Sequence, residues 1–476
     1  MQIYSILLVV LLVAADGGFL APAPDEAWPL LAIGCAFGGP LCCMLLARLG
    51  VMAALRGVSR GRGYAAVASG ERMIRLAQFL TLPIHAAGLA AGWMALVRGV
   101  VGDLVLIDEI LITLPPILGV VLSWWIWWPV EQRMRDWDTL ARLDSGVPLR
   151  PTATRLRWTV LQARVHLFLL LVPVGLALGA SEASQAGLAA LSNRWSDLSL
   201  PDPAWAGMIS VLVVFTLSPL VVRVILDTVA FPPGIVRHDL LEICARHRVR
   251  VRDLLVWRTG GTILNAAVVG LLPGLRYVLL TDAIVTTLPK AQLHAVMAHE
   301  VAHVRRRHMF IGTASLIAAA IIGSGLAEVA SVTLNETIVE GLGGEEFLLG
   351  LGLVLSLLCV FVGFGWVSRR LERQADSFAV VDLSRENSAT DGDGRISARA
   401  VEAMCGALEA VAPGGDFHRS RRSWRHGSIR WRQRYLSSLL GQRVDALAID
   451  RLVRRIAIVS GLIALVGAAR LLLSAA

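Results

Sequence analysis

The stretch Ala298-His299-Glu300-Val301-Ala302-His303 carries two histidines and a carboxylate at metal-ligand spacing. On a helix, positions four apart share one face, about 40° out of register and one turn apart. Two imidazoles so placed can grip one zinc ion through their ring nitrogens. Glu300, beside them, is positioned to polarise a water at the ion's open coordination position. Two histidines leave a catalytic site one ligand short, and the third is usually a carboxylate. The best-placed candidate is Glu372, in Ser368-Arg369-Arg370-Leu371-Glu372-Arg373-Gln374-Ala375-Asp376. Glu372 and Asp376 are again four apart, so Asp376 would steady a ligand imidazole or the Glu372 carboxylate from behind. The competing reading of this segment is a solvated interfacial helix laced with Glu–Arg pairs.

The composition says what must position these residues. With 476 residues, 55% of them hydrophobic, and a mean hydropathy of +0.64, the chain is too apolar for a soluble enzyme. It reads as a multi-pass membrane protein with enough polar sequence for one modest aqueous domain. Lys+Arg number 45 against 36 Asp+Glu, a formal charge of +9. Most of the arginine lies in short loops beside apolar runs, where it sets membrane topology, so no nucleic-acid partner is expected. The Arg-rich run from Arg419 to Arg434, with Trp424 and Trp431, is better explained by anionic lipid headgroups. The six cysteines show no CxxC pair and read as reduced packing residues.

Residues 2–15 form a short apolar run, read as a first span in preference to a cleaved signal because it lacks a basic flank. Stretches long enough to cross a bilayer follow near 29–48, 76–98, 105–129, 159–179, 206–226, 309–334, 347–367 and 456–475. Trp124, Trp125, Trp127 and Trp128 read as an interfacial belt. The 49–75 and 130–158 loops are rich in arginine, whereas 16–28, 180–204 and 335–346 are acidic or neutral. This alternation places residues 227–308 and 368–455 on the cytoplasmic side. The expected organisation is an N-terminal membrane region over 1–232 with about six spans, then the first part of an aqueous domain, 233–308. A membrane hairpin over 309–367 leads to the second aqueous part, 368–455, and a final span lies within 456–476. Within the aqueous part, 238–248 reads as a helix, 252–258, 263–269 and 276–280 as strands, and 289–307 as the helix bearing the histidines.

Taken together, His299-Glu300-Val301-Ala302-His303 with Arg307-His308, and Ser368-Arg369 with Glu372 and Ala375-Asp376, resemble the HtpX and type-I CAAX prenyl protease family of integral-membrane zinc metallopeptidases. Asn265-Ala266 with Gly270 resembles that family's edge-strand motif, where a peptide substrate is expected to add as a strand. His426-Gly427-Ser428 with Arg432 and Leu436 resembles its C-terminal His-Pro-Ser motif. The resemblance covers about 233–445. It departs at Ala267, where an aromatic is usual, and at Gly427, which replaces the proline.

The resemblance implies one catalytic Zn²⁺ bound by His299, His303 and Glu372, with Glu300 as general base and Asp376 supporting the ligands. Asn265, His426 and Arg432 would contact substrate or the oxyanion. His308 lies five residues past His303, about 140° round a continuous helix, and is geometrically a poor ligand. The fold implied is mostly α: a polytopic α-helical membrane protein of about nine spans, carrying a split α+β zincin-like metalloprotease domain on the cytoplasmic face. The expected function is zinc-dependent endopeptidase action on membrane-associated or misfolded polypeptide at a bacterial cytoplasmic membrane. The alternatives are a narrow processing protease of the CAAX type, or an idle scaffold or sensor that retains the fold.

Overall fold

A computed structural model of the chain describes residues 2–18, 20, 28–60, 63–144, 146, 149, 152–195, 202–333, 339, 344–388, 394–411, 423–445 and 447–475. It divides into two compact units, Met1–Asp227 and Thr228–Ala476. Most of the acidic 335–346 loop, and Arg419 to Arg422 of the basic run, lie outside the described residues. Among those described, eight helices are long and apolar enough to cross a membrane, and a ninth apolar helix, near the N-terminus, is shorter. The chain is accordingly an integral membrane protein.

The first unit holds α1 (Gln2–Asp16), α2 (Pro29–Ser59), α3 (Gly63–Ala90), α4 (Trp93–Val101) and α5 (Ile107–Asp144). Next, α6 (Arg155–Ala163) passes through a π-helical turn at Arg164–Phe168 into α7 (Leu169–Arg194), and α8 (Pro203–Ile225) follows. The apolar stretch expected at 76–98 is broken, because Gly92 takes φ 102 and ends α3 before α4 begins. That conformation suits glycine and few other residues. The tryptophans also depart from expectation. Trp124 and Trp127 are three apart on one helical face and are buried in a core with Tyr4, Leu8, Val51 and Trp158. They pack helices together and do not form an interfacial belt. Trp125, by contrast, lies under the Arg155 guanidinium, 4.3 Å away. Asp108 is fully buried, and its carboxylate accepts from Arg98 Nε at 2.7 Å. The same guanidinium also reaches Asp16 at 2.8 Å and Glu109 at 3.3 Å, so one cation serves all three carboxylates.

The second unit opens with a four-stranded sheet: β1 (Thr228–Ala230), β2 (Asp253–Trp257), β3 (Ala266–Val269) and β4 (Tyr277–Thr281). The order is β1-β2-β4-β3, with β2 and β4 parallel and both outer pairs antiparallel. All five residues of β4 are buried, as its run Tyr-Val-Leu-Leu-Thr requires of a strand covered on both faces. β3 is therefore an edge strand. Its entry is set by Gly260 and Gly261, at φ 65 and φ 72, whose amides, with that of Thr259, converge on the Asp282 carboxylate.

Four helices beyond the sheet frame the site: α9 (Ile235–Arg246), α10 (Asp282–Thr287), α11 (Lys290–Arg305) and α12 (His308–Thr333). α11 buries Leu293, Ala295, Val296, Met297, Ala298 and Val301 in the hydrophobic core of this unit, shared with Leu254, Val278 and Leu280 of the sheet. It ends where Arg307 takes φ 56, and that left-handed residue turns the chain into α12. The return limb is α13 (Glu345–Ser388), a single helix of 44 residues. At 1.5 Å per residue it is about 66 Å long, enough to cross a bilayer and continue into the polar domain without a break. Three helices complete the unit: α14 (Ala398–Val411), α15 (Ile429–Ser437), capped by Ser428, and α16 (Ala448–Ala475).

Candidate active site

α11 supplies His299, Glu300 and His303 from successive turns, and α13 supplies Glu372 and Asp376 from its polar half. His299 Nε2 and His303 Nε2 lie 3.3 Å apart. Glu372 brings Oε2 to 3.7 Å from the first and Oε1 to 3.8 Å from the second. An ion bound at about 2.0–2.2 Å in tetrahedral geometry holds its donors roughly 3.3–3.6 Å apart, and the two imidazole nitrogens and the two Glu372 oxygens stand at or just beyond that spacing. Two imidazole nitrogens and a carboxylate are the donor set found in catalytic zinc sites. The His299, His303 and Glu372 group can thus hold a metal.

Each donor is held from behind. Asp376, fully buried, places Oδ1 3.0 Å from His299 Nδ1. Burial opposes a charged imidazole, but Asp376 outweighs it and pushes His299 up from its ordinary value. His303 has no such carboxylate, and burial together with the His299 charge holds it well below the ordinary range, neutral with a lone pair to give. Burial pushes the Glu300 carboxyl up, opposed by His299 and by the Val268 backbone amide of the edge strand. A raised carboxyl is what proton shuttling near neutral pH asks for.

Arg432, also buried, donates from Nε to Asp376 Oδ2 at 2.8 Å and from Nη2 to Oδ1 at 2.6 Å. Its Nη1 lies 3.4 Å from Glu372 Oε2. Its donors are thus turned to the two carboxylates of α13. His426 Nδ1 sits 2.9 Å from Glu372 Oε1 while half of the ring stays exposed. The loop bearing it is anchored: Trp424 stacks on Phe361 at 4.7 Å, and Arg369 donates to the Trp424 carbonyl at 2.9 Å. Gly427 stands at φ 75, a conformation closed to the proline that the resemblance leads one to expect there. Asn265 is exposed at the entry of β3, its backbone paired with Thr281. Two contacts had no signal in the sequence: His308 Nδ1 lies 2.9 Å from His303 Nδ1, and Gln374 accepts from His308. Substituting Asp376→Asn should weaken zinc binding roughly 10–100-fold, read by competition with a chromophoric chelator, because the ring it steers loses its charged acceptor.

Residues 253–414 match the model of Peptidase family M48. That segment holds both zinc-motif histidines, Glu300, Glu372 and Asp376, and the match bears out the resemblance drawn from the sequence. A search of curated proteins finds no match. Among solved structures, the chain is similar to the crystal structure of S. mikatae Ste24p at 13% identity, covering 86% of this chain and 98% of that one with a TM-score of 0.39.

Proposed function

We propose that this M48-type segment makes the chain a zinc-dependent endopeptidase. It would cut membrane-associated or misfolded polypeptide on the side of the membrane carrying 228–308 and 368–455, the cytoplasmic side by loop charge. The observation that carries the reading is the triangle of donor atoms on His299, His303 and Glu372, with Glu300 on the same helical turn and the edge strand β3 beside it. Zinc held there would acidify a water and polarise the scissile carbonyl.

The chain's own residues do the rest. The open edge of β3 offers backbone groups to an extended peptide, which adds as a further strand, its side chains alternating toward and away from the site. Contact between Val268 and Glu300 ties that strand to the base, so the bond presented to Glu300 is fixed by strand register. Glu300 takes a proton from the attacking water and returns it to the leaving amine, a cycle that a desolvated carboxyl of raised pKa can run in both directions. Asp376 keeps His299 in its ligating orientation, and Arg432 keeps Asp376 and Glu372 ionised in a buried setting. Because the anchored hairpin helix α13 carries both carboxylates, the site sits where that helix leaves the bilayer, within reach of substrates tethered to the membrane.

Purified protein in detergent should digest a generic substrate such as casein, lose that activity on chelation and regain it with added zinc. Digestion that persists in the fully metal-stripped protein would overturn the assignment.

A further inference from the structure

We infer that a directed chain of hydrogen bonds, from His303 through His308 and Gln374 to Asp450, fixes which nitrogen His303 presents to the metal. His308, Gln374 and Asp450 then become positioning residues for the centre. The inference rests on the reading that His299, His303 and Glu372 hold the ion.

The links are short and draw on four helices. His303 Nδ1 on α11 and His308 Nδ1 at the start of α12 are 2.9 Å apart. His308 Nε2 is 2.9 Å from Gln374 Oε1 on α13, and Gln374 Nε2 donates to Asp450 Oδ1 on α16 at 2.6 Å. The far carboxylate oxygen of Asp450 lies 3.5 Å from Arg306 Nη2. His308 and Gln374 are both 4% exposed, so neither can turn to water for a partner.

The direction of every bond follows from the ends. His303 Nε2 is the nitrogen facing His299 and Glu372, so it must keep its lone pair, and the ring proton sits on Nδ1. That N–H donates to His308 Nδ1, which puts the His308 proton on Nε2. His308 then donates to the Gln374 carbonyl, turning the amide nitrogen to Asp450. Asp450, when ionised, can only accept, so the chain cannot reverse. The reverse order would place a proton on His303 Nε2, aimed at the ion. Asp450 thus works as a distant anchor for the tautomer of a metal ligand.

The geometry depends on the break after α11. On a continuous helix His308 would point well away from His303, and the left-handed Arg307 brings it back. The outer end of the chain is accessible, because Asp450 and Arg306 line a cavity of about 460 Å³ with Arg305, Asp382 and Phe378. Asp382 there accepts from His247 and Arg246 and is not part of the chain.

The test uses the full-length protein in detergent, stripped of metal. Zinc affinity is read by competition with a chromophoric chelator, and ligand geometry by the visible bands of the cobalt-substituted protein. His308→Phe should weaken zinc binding roughly 10–100-fold and shift the cobalt bands. Asp450→Leu should do the same to a smaller extent. Asp450→Asn keeps an acceptor oxygen but can also donate, so it should fall between Asp450→Leu and the parent, and Asp382→Asn should leave both readouts unchanged. A merely structural role would move thermal stability without this pattern of rescue. If His308→Phe does not fold, the Asp450 pair decides. The inference is overturned if Asp450→Leu and any folded His308→Phe bind zinc as tightly as the parent with unaltered cobalt bands. A parent chain that binds no zinc overturns the metal-centre reading itself, and the role of the chain with it.

Discussion

Glu300→Gln is expected to abolish useful turnover while the protein keeps its zinc. The substitution is nearly isosteric, and the amide can still accept from the Val268 backbone, so the site should keep its shape. What it loses is the ability to take a proton from water and give it to the leaving amine. General acid–base catalysis is worth about 10²–10⁴-fold, and both proton transfers pass through this one group, so kcat should fall by at least that range while KM changes little. Zinc content by elemental analysis should match the parent, because Glu300 is not one of the three converging donors. Full residual cleavage in a zinc-loaded Glu300→Gln protein would remove Glu300 from the reaction. Loss of zinc along with activity would instead make it a ligand, against the donor geometry.

The candidate site residues were legible because each obeys a local rule. His299, Glu300 and His303 are fixed by helical spacing. The strands at 253–257 and 277–281 follow from short apolar runs of Leu and Val with an aromatic at one end. Glu372 and Asp376 share a face by the same arithmetic, although bringing them to the histidines requires the hairpin between, which no local pattern states. Other features failed for physical reasons. The tryptophan cluster near 124–128 looks like a membrane belt by composition, but burial depends on which face of α5 meets its neighbours, and composition does not encode that. His308 stays outside the donor group, as expected, but the angle of an unbroken helix hid its contact with His303. One residue, Arg307 at φ 56, invalidates that angle, and nothing about an arginine in a basic run signals a left-handed turn. The sequence likewise places Arg432 in a motif but cannot say that its guanidinium faces Asp376.

That guanidinium carries the largest stability effect. Arg432→Met should destabilise the metal-free protein by about 3–5 kcal/mol, the cost of leaving a buried charge without its partner. Asp376 loses two charge-assisted bonds, at 2.8 and 2.6 Å, and Glu372 loses the cation 3.4 Å away. Three consequences separate this from a simple packing defect, since methionine fills much of the arginine stem's volume. Adding Asp376→Asn to Arg432→Met should recover part of the loss, because a neutral amide no longer needs the cation, and the double-mutant cycle should show strong coupling. Zinc should shrink the penalty, since the ion supplies positive charge to Glu372, so unfolding midpoints of parent and variant should lie closer in the loaded state than in the stripped state. Arg432→Lys should rescue only partly, because an ammonium cannot make the paired bonds to both oxygens of Asp376. Equal unfolding midpoints for parent and Arg432→Met without metal would mean that water or another cation satisfies the two carboxylates. The buried pairing on which Asp376 relies to steer His299 would then not be what holds the site.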